Sequence, residues 1–309
     1  MLDLYRQRGV ALITALLVVA LAATAATAMV TRQQLDIRRT ANMIHSDQTR
    51  HYALGAEAWG INQLLKDRGE NKTDSLSDDW ATILPPMEVE GGYISGNIEE
   101  LQGRFNLNNL IAREARGELA RKRFERLLKQ LGLEAALLQA VTDWIDEDIN
   151  PRYPDGAEDD YYLGLQPAYR TANREIGSIS ELRLIRGFDT DNIRALRPYI
   201  TALPQPSKIN INTAPDEILL TLADDLERSD IDSLIETRDE NAFATTAQFL
   251  QDKAFAGREI DGNGLGVTTD YFMIHSQSEI GRSRLLHHTL VQRPTNGSVA
   301  ILMRSRGEY

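Results

Sequence analysis

From Val10 to Val30 the chain carries no charged residue, no Gly and no Pro, and Ala, Leu and Val dominate. As a helix these residues rise about 31 Å at ~1.5 Å each, enough to cross a hydrocarbon layer of about 30 Å. A helix that is apolar all round has no polar face to turn to water, so the run predicts a membrane-inserted segment rather than a soluble core helix. It starts behind a short leader, MLDLYRQRG, in which Arg6 and Arg8 outweigh Asp3.

A removable signal peptide is the simplest use of such a run, and Ala26-Thr27-Ala28 offers a small-x-small site. Two features oppose it. The run exceeds the roughly 7 to 15 apolar residues of a signal peptide, and helical texture continues beyond it through TRQQLDIRRTANMIHSDQTRHYALGAEAWGINQLLKD. In that stretch Leu35, Ile37, Ala41, Ile44, Tyr52, Leu54, Ala58, Ile61, Leu64 and Leu65 recur two to four apart, without Pro. The pattern predicts one helix over residues 10–68, membrane-spanning at 10–30 and amphipathic after that.

A short basic leader ending in Gly9 and followed at once by an apolar helix resembles the class III signal of type IV pilins and type II secretion pseudopilins. The resemblance implies that a prepilin peptidase cuts after Gly9 and methylates the new amino terminus at Val10. The helix would then anchor the chain in the cell inner membrane by a single pass and later pack in a fibre core. Most of these proteins carry Glu at the fifth mature position, where this chain has Thr14. With that departure, the string QRGVALITALLVVALA is similar to the leader region of the K branch of minor pseudopilins.

The residues beyond the helix, about 250, suffice for a sizeable core and two domains. Acidic side chains outnumber basic ones 45 to 34, a net charge of −11. That balance repels a nucleic-acid backbone and offers no basic stripe for one. Cys is absent, which excludes a disulfide framework and thiolate chemistry without fixing the redox compartment.

Residues 66–92, broken by Pro85-Pro86 and Gly91-Gly92, read as a loop with one short turn near Trp80. Tyr93, Ile94, Ile98, Leu101, Phe105, Leu107 and Leu110 predict two short strands joined by a polar turn over 99–103. Asn106, Asn108 and Asn109 could form a polar site, but such side chains more often close turns and cap the following helix. From Ile111 the texture turns helical, with a first helix carrying Leu119, Phe124, Leu127, Leu128 and Leu131 and a second over 133–145. Two short helices follow over 178–200, with Ser180 and Asp189 as caps. Strand texture returns at 271–278, 283–292 and 299–304.

The predicted fold class is therefore α+β: a pilin-like long N-terminal helix packed on an antiparallel sheet that a large, mainly helical insertion interrupts. The predicted divisions are a leader over 1–9, the helix over 10–68, a head over 69–110 and 267–309, and the insertion over 111–266. The K branch resembles this plan, since it carries a helical domain within its pilin-like sheet.

The densest chemical signal is TDWIDEDINPRYPDGAEDDYYLGLQP. Asp143, Asp146, Glu147, Asp148, Asp155, Glu158, Asp159 and Asp160 crowd it, against one base, Arg152. Such repulsion needs water or a cation to screen it. Asp146, Asp148 and Asn150 alternate as ligands do in a looping chain, while Pro151, Pro154 and Gly156 bend the segment back on itself. A hard cation that takes 6 to 8 oxygens can draw ligands from both sides of the bend (roughly the Ca²⁺ number). An EF-hand pattern is missing, so a solvated acidic loop stands beside a Ca²⁺ site as a reading. The runs D-W-I-D-x-D and G-A-E-D-x-x-Y resemble the family's signature. The resemblance implies Ca²⁺ on Asp146, Asp148, Asp155, Glu158 and Asp159, with Asp160 and Asn150 next.

Over residues 201–252, I-N-I-N-T-A followed by a helix resembles the entry to a helix-hairpin-helix module, with Arg238 and Phe243 at its closing positions. The hairpin, however, reads Leu222-Ala223-Asp224-Asp225-Leu226-Glu227, and acids there repel a phosphate. No catalytic motif is present, so no enzyme is expected. The resemblance implies a minor pseudopilin at the tip of a type II secretion pseudopilus, initiating or capping its assembly, with a periplasmic head. Its implied partners are other minor pseudopilins in a tip complex, the major pseudopilin, the prepilin peptidase and the inner-membrane secretion platform, with no nucleic acid. Two rival readings remain: a single-pass membrane protein with a calcium-binding adhesive head, and a minor pseudopilin of a DNA-uptake system.

Overall fold

The computed structural model describes residues 8–294 and 297–307; residues 1–7 of the expected leader lie outside them. One helix, α1 (Arg8–Glu70), runs from the apolar stretch into the head without a break. Its residues 10–40 are exposed throughout, so the apolar run packs against nothing among the described residues. Further along, Thr49, Ala53, Ala56, Glu57, Leu64 and Asp67 are buried against a sheet. The approach is close at Gly60, where an added Cβ would stand 2.9 Å from Ile274 Cγ2.

Two strands follow, β1 (Leu84–Val89) and β2 (Gly92–Glu100). The first corrects the loop predicted over 66–92. Pro85 and Pro86 lie where the β1–β2 register shifts between Leu84 and Met87, and β1 is an edge strand; both settings tolerate a residue without N–H.

The chain then enters the helical body. In order come β3 (Phe105–Asn106), α2 (Glu114–Gln130), α3 (Ala136–Ile145), α4 (Asp159–Tyr162), α5 (Thr190–Leu196), β4 (Ile200–Thr201), β5 (Ile209–Asn210), α6 (Asp216–Leu219), α7 (Arg228–Glu240), α8 (Thr246–Leu250) and β6 (Leu265–Gly266). Instead of forming a hairpin with β2, the second predicted strand is the two-residue β3, paired in parallel with β4. Phe105, Leu107 and Leu110 join the core of the body with Phe124, Leu127 and Trp144, so the helical part starts before residue 111. Ser178 rather than Ser180 caps the 3-10 turn Ile179–Leu184, in a capping box with Glu181. Asp189 caps α5 as expected.

The chain returns to the sheet as β7 (Tyr271–Ile280), β8 (Ser283–Gln292) and β9 (Ala300–Arg306). The sheet is antiparallel in the order β1-β2-β7-β8-β9. Entry and exit of the body are thus neighbours: Glu100 on β2 faces Phe272 on β7, and Leu101 N–H donates to the Tyr271 carbonyl at 3.2 Å. The buried Glu100 locks this junction, accepting from the Gln102 and Gly103 amides at 2.7 Å each and from the Thr213 and Thr269 hydroxyls. A body can be spliced there without disturbing the strand order on either side.

Candidate metal centre

Asp143 and Asp146 lie on the last turn and C-cap of α3, and a bend built on Gly156 brings Glu158 back against them. A Cβ at Gly156 would fall 2.1 Å from Asp143 Oδ2 and 2.5 Å from the Arg152 backbone, so only glycine closes this bend. The single base is placed between the acids. Arg152 Nη1 donates to Asp143 Oδ1 at 2.8 Å and to Asp146 Oδ2, while its backbone N–H donates to Asp143 Oδ2 at 3.0 Å.

Oxygens of Asp146, Asp148 and Glu158 converge within 4.8 Å of one another. Two carboxylate oxygens are left without a donor although they are buried: Asp146 Oδ1 and Glu158 Oε1. The other oxygen of Glu158 accepts from Thr171 Oγ1 at 3.0 Å. Asp148, at the surface, accepts from Asn150 N at 2.8 Å and Nδ2 at 3.1 Å, which lowers its pKa. Burial raises the pKa of Glu158 to about 7; Thr171 opposes the rise, and the charges of Asp143, Asp146 and Asp148 add to it. Burial also raises Asp146, against the pull of Arg152. Protonation or a cation relieves such a cluster, and the orphaned oxygens are what a hard cation would satisfy.

Of the six predicted ligands the fold gathers three, Asp146, Asp148 and Glu158, and gives the others different surroundings. Asp159 Oδ1 accepts from the Thr171 N–H at 3.1 Å and shares with Glu158 the one Thr171 hydroxyl proton, Oγ1 lying 3.0 Å away, while Arg170 pairs with Oδ2 at 3.3 Å. Asp160 is exposed on the first turn of α4, and Asp155 is half-buried with its backbone N–H on Gln139 Oε1 at 2.9 Å. Asn150 spends its side-chain amide on Asp148. Sequence reasoning missed Asn173. Its side-chain amide donates to the Asp148 carbonyl at 3.2 Å, and its Oδ1 is a third buried oxygen without a donor. It sits at a positive φ of 45°, which Asn tolerates better than most residues, but nothing in its sequence neighbourhood marks it.

Asp67, Asp74 and Asp78 also converge, but for a structural purpose. The buried Arg293 donates to Asp67 Oδ2 at 2.7 Å and to Asp74, and Asp78 accepts from the Ser75 and Trp80 side chains and the Ser75 amide. In the hairpin-like region, Asp224 pairs with Arg126 at 2.7 Å and Asp225 with Arg258 at 3.1 Å. Arg238 donates to the Ala214 carbonyl at 2.7 Å and Phe243 is buried in the core, so both closing residues have structural work.

A single apolar helix whose second half lies on an antiparallel sheet, with a helical body spliced between two neighbouring strands, defines a pilin-like subunit with an enlarged head. Two family models, both described as type II secretion system protein K, match residues 103–205 and 209–268. The chain is 34% identical to type II secretion system protein K of Pseudomonas aeruginosa, over 98% of this chain and 93% of that one. It is 31% identical to the protein of the same name from Aeromonas hydrophila, over 98% of each chain. The chain belongs to the type II secretion system protein K family. A solved structure agrees. One chain of the GspK-GspI-GspJ complex from the enterotoxigenic Escherichia coli type 2 secretion system superposes with a TM-score of 0.79 at 25% identity, covering 88% of this chain and 100% of that one. The protein is thus a minor pseudopilin of type II secretion, which displaces the adhesive-head and DNA-uptake readings. The relatives described here carry the names of secretion components rather than of enzymes.

Proposed function

We propose that this minor pseudopilin occupies the tip of the periplasmic pseudopilus, where it initiates or caps assembly, and that its role is structural rather than catalytic. The observation that carries the reading is Thr14. Its hydroxyl donates into its own helix, toward the Val10 and Ala11 carbonyls at 3.1 and 3.0 Å. With no carboxylate there, the helix has nothing to neutralise the amino terminus of a neighbouring subunit in an apolar fibre core, where an unpaired charge is costly. That deficiency is tolerated at the top of a fibre, where no subunit lies above. The spliced helical body favours the same place, because repeated copies of it would collide along a thin filament. Cleavage between Gly9 and Val10, methylation of Val10, a single inner-membrane pass and a periplasmic head belong to this reading. So do contacts with the major pseudopilin, the prepilin peptidase and the secretion platform. The relative solved with GspI and GspJ supports minor pseudopilins of those kinds as partners. The test is co-purification of the full chain with the minor pseudopilins of its own system. A chain that binds none of them, with secretion undiminished after its deletion, would refute the tip role.

The same head is proposed to bind Ca²⁺ through Asp146, Asp148 and Glu158, with Asp155, Asp159 and Asp160 nearby in the chain. The two orphaned, buried carboxylate oxygens support the fit. A bound Ca²⁺ would supply the positive charge that Arg152 alone does not. The protein's own contribution is to hold two acids at the end of α3 and return Glu158 across the Gly156 bend. Excess Ca²⁺ should raise the melting temperature relative to EGTA, by mass action on the folded state. D146N/E158Q should abolish the rise; identical melting curves of the native chain in both buffers would exclude the site.

A further inference from the structure

Nearly every buried or half-buried arginine in the head has a carboxylate partner, as Arg126, Arg152, Arg258 and Arg293 illustrate. Arg123 on α2 does not. It is 4% exposed, yet among the described residues no carboxylate lies within 4.0 Å of it. Its Nη2 donates to the Asp261 backbone carbonyl at 2.8 Å, and its Nε–H is buried without an acceptor. Asp261 offers Arg123 only this backbone carbonyl as a hydrogen-bond acceptor, while its side-chain Oδ1 accepts from Asn263 N at 2.8 Å. Burial of the guanidinium lowers its pKa to about 10, with Asp261 opposing and Arg126 reinforcing the shift. A buried cation with an unused donor favours an anion in contact with it, and none of the described residues supplies one.

The space for one is present. Arg123 lines a cleft of about 190 Å³ between α2, the segment 206–209 and the turn at 263–264. Phe105, Leu119 and Ile209 form apolar walls. At the rim, Arg116 and Lys208 are exposed and have no ion pair among the described residues. In a chain of net charge −11, this is a local concentration of unneutralised positive charge.

We infer that this cleft is a binding site for a carboxylate, whose charge meets Arg123 while a short apolar body lies between Phe105, Leu119 and Ile209. The planar guanidinium edge suits a carboxylate. A phosphate dianion would leave oxygens unpaired against the apolar walls. The carboxylate can come from a free small acid or from the C-terminus of a polypeptide, and the site chemistry is the same for both. The inference is independent of the calcium reading, since none of the proposed cation ligands lines the cleft.

Calorimetric titration of the full chain in detergent tests it, with hexanoate, acetyl-Ala-Ala-Leu, the amide of that peptide and inorganic phosphate as probes. Hexanoate or the peptide acid should bind at sub-millimolar concentration. R123M should weaken binding by about tenfold or more, the effect of a lost hydrogen bond to a charged group. L119W, which fills the cleft and keeps Arg123, should do the same and decides the matter if R123M fails to fold. Binding of both acids means that a small carboxylate suffices; binding of the peptide acid alone assigns the site to a polypeptide terminus. Failure of both acids to bind, equal binding of the amide or of phosphate, or full binding by L119W would overturn the proposal.

Discussion

Replacing Glu57 by Gln should loosen the long helix from the sheet and remove a defined part of the acid stability. Glu57 lies on the packed half of α1 and is 4% exposed. Its Oε1 accepts from Arg304 Nη2 at 2.7 Å; Oε2 accepts from Arg304 Nε at 2.9 Å and Thr289 Oγ1 at 2.6 Å, and meets His287 Nε2 at 2.9 Å. One carboxylate thus joins α1 to both β8 and β9. Burial alone would raise its pKa, but the bonds from Arg304, Thr289 and His287 outweigh it and bring the group from 4.5 to about 2. Because the folded value is the lower one, the unfolded chain binds more protons between these limits. The stabilisation is complete above about 4.5 and is lost as pH falls toward about 2. A difference of that size corresponds to about 3 kcal/mol. Arg304 is half exposed, so solvent screening reduces the realised value to about 2 kcal/mol. Urea unfolding of the full chain in detergent, followed from pH 8 to pH 3 by fluorescence of the buried Trp80 and its neighbours, measures it. E57Q should be less stable by about 2 kcal/mol at neutral pH, and the deficit should shrink below about pH 4.5 as the carboxyl of the unfolded chain gains a proton that the native one still resists. A deficit below about 0.5 kcal/mol at neutral pH, or one that is constant across the range, would refute the reasoning.

Two further substitutions probe separate joints. R293M removes a fully buried guanidinium that binds Asp67, Asp74, the Leu64 carbonyl and the face of Phe272, and should cost about 3–5 kcal/mol in urea unfolding because two acids are left buried and unpaired. G156A forces a methyl group into Asp143 and the Arg152 backbone, so it should lower thermal stability and shrink the melting-temperature rise produced by Ca²⁺; an unchanged Ca²⁺ response would show that the bend does not position Glu158.

What the sequence made legible follows from the range of the forces involved. The apolar run, α2, α3 and the strands β7 to β9 repeat their patterns over ten residues or so, and such periodicity is visible in a single chain. β1 was hidden because two prolines contradict the usual strand composition, and only its place at the sheet edge permits them. In the sequence, Asn106, Asn108 and Asn109 look like local turn closers. Asn106 does cap the turn that follows it, but Asn108 also bonds to Ile176 and Leu203, Asn109 to Ser207, and Asn210 to Asp74 and Thr269. Within I-N-I-N-T-A, Asn212 exchanges two hydrogen bonds with the Phe243 backbone. Each stitches backbone groups that no ladder pairs, and a single sequence carries no sign of a partner tens of residues away.

The acidic loop shows the same limit in its electrostatics. Composition located the charge, but which oxygens stay free depends on where the one base goes. Arg152 takes both oxygens of Asp143 and one of Asp146, which removes the most deeply buried acid from competition and leaves Asp146 Oδ1 beside Glu158. Thr171 divides the second group likewise, its N–H serving Asp159 and its one hydroxyl proton shared between Asp159 and one oxygen of Glu158, while the other Glu158 oxygen stays open. The candidate ligands are therefore the remainder after internal hydrogen bonding, not the most acidic stretch of the loop. That remainder combines oxygens from before and after the bend, so the affinity of the site depends on residues that touch no ion, Gly156 and Arg152 first among them.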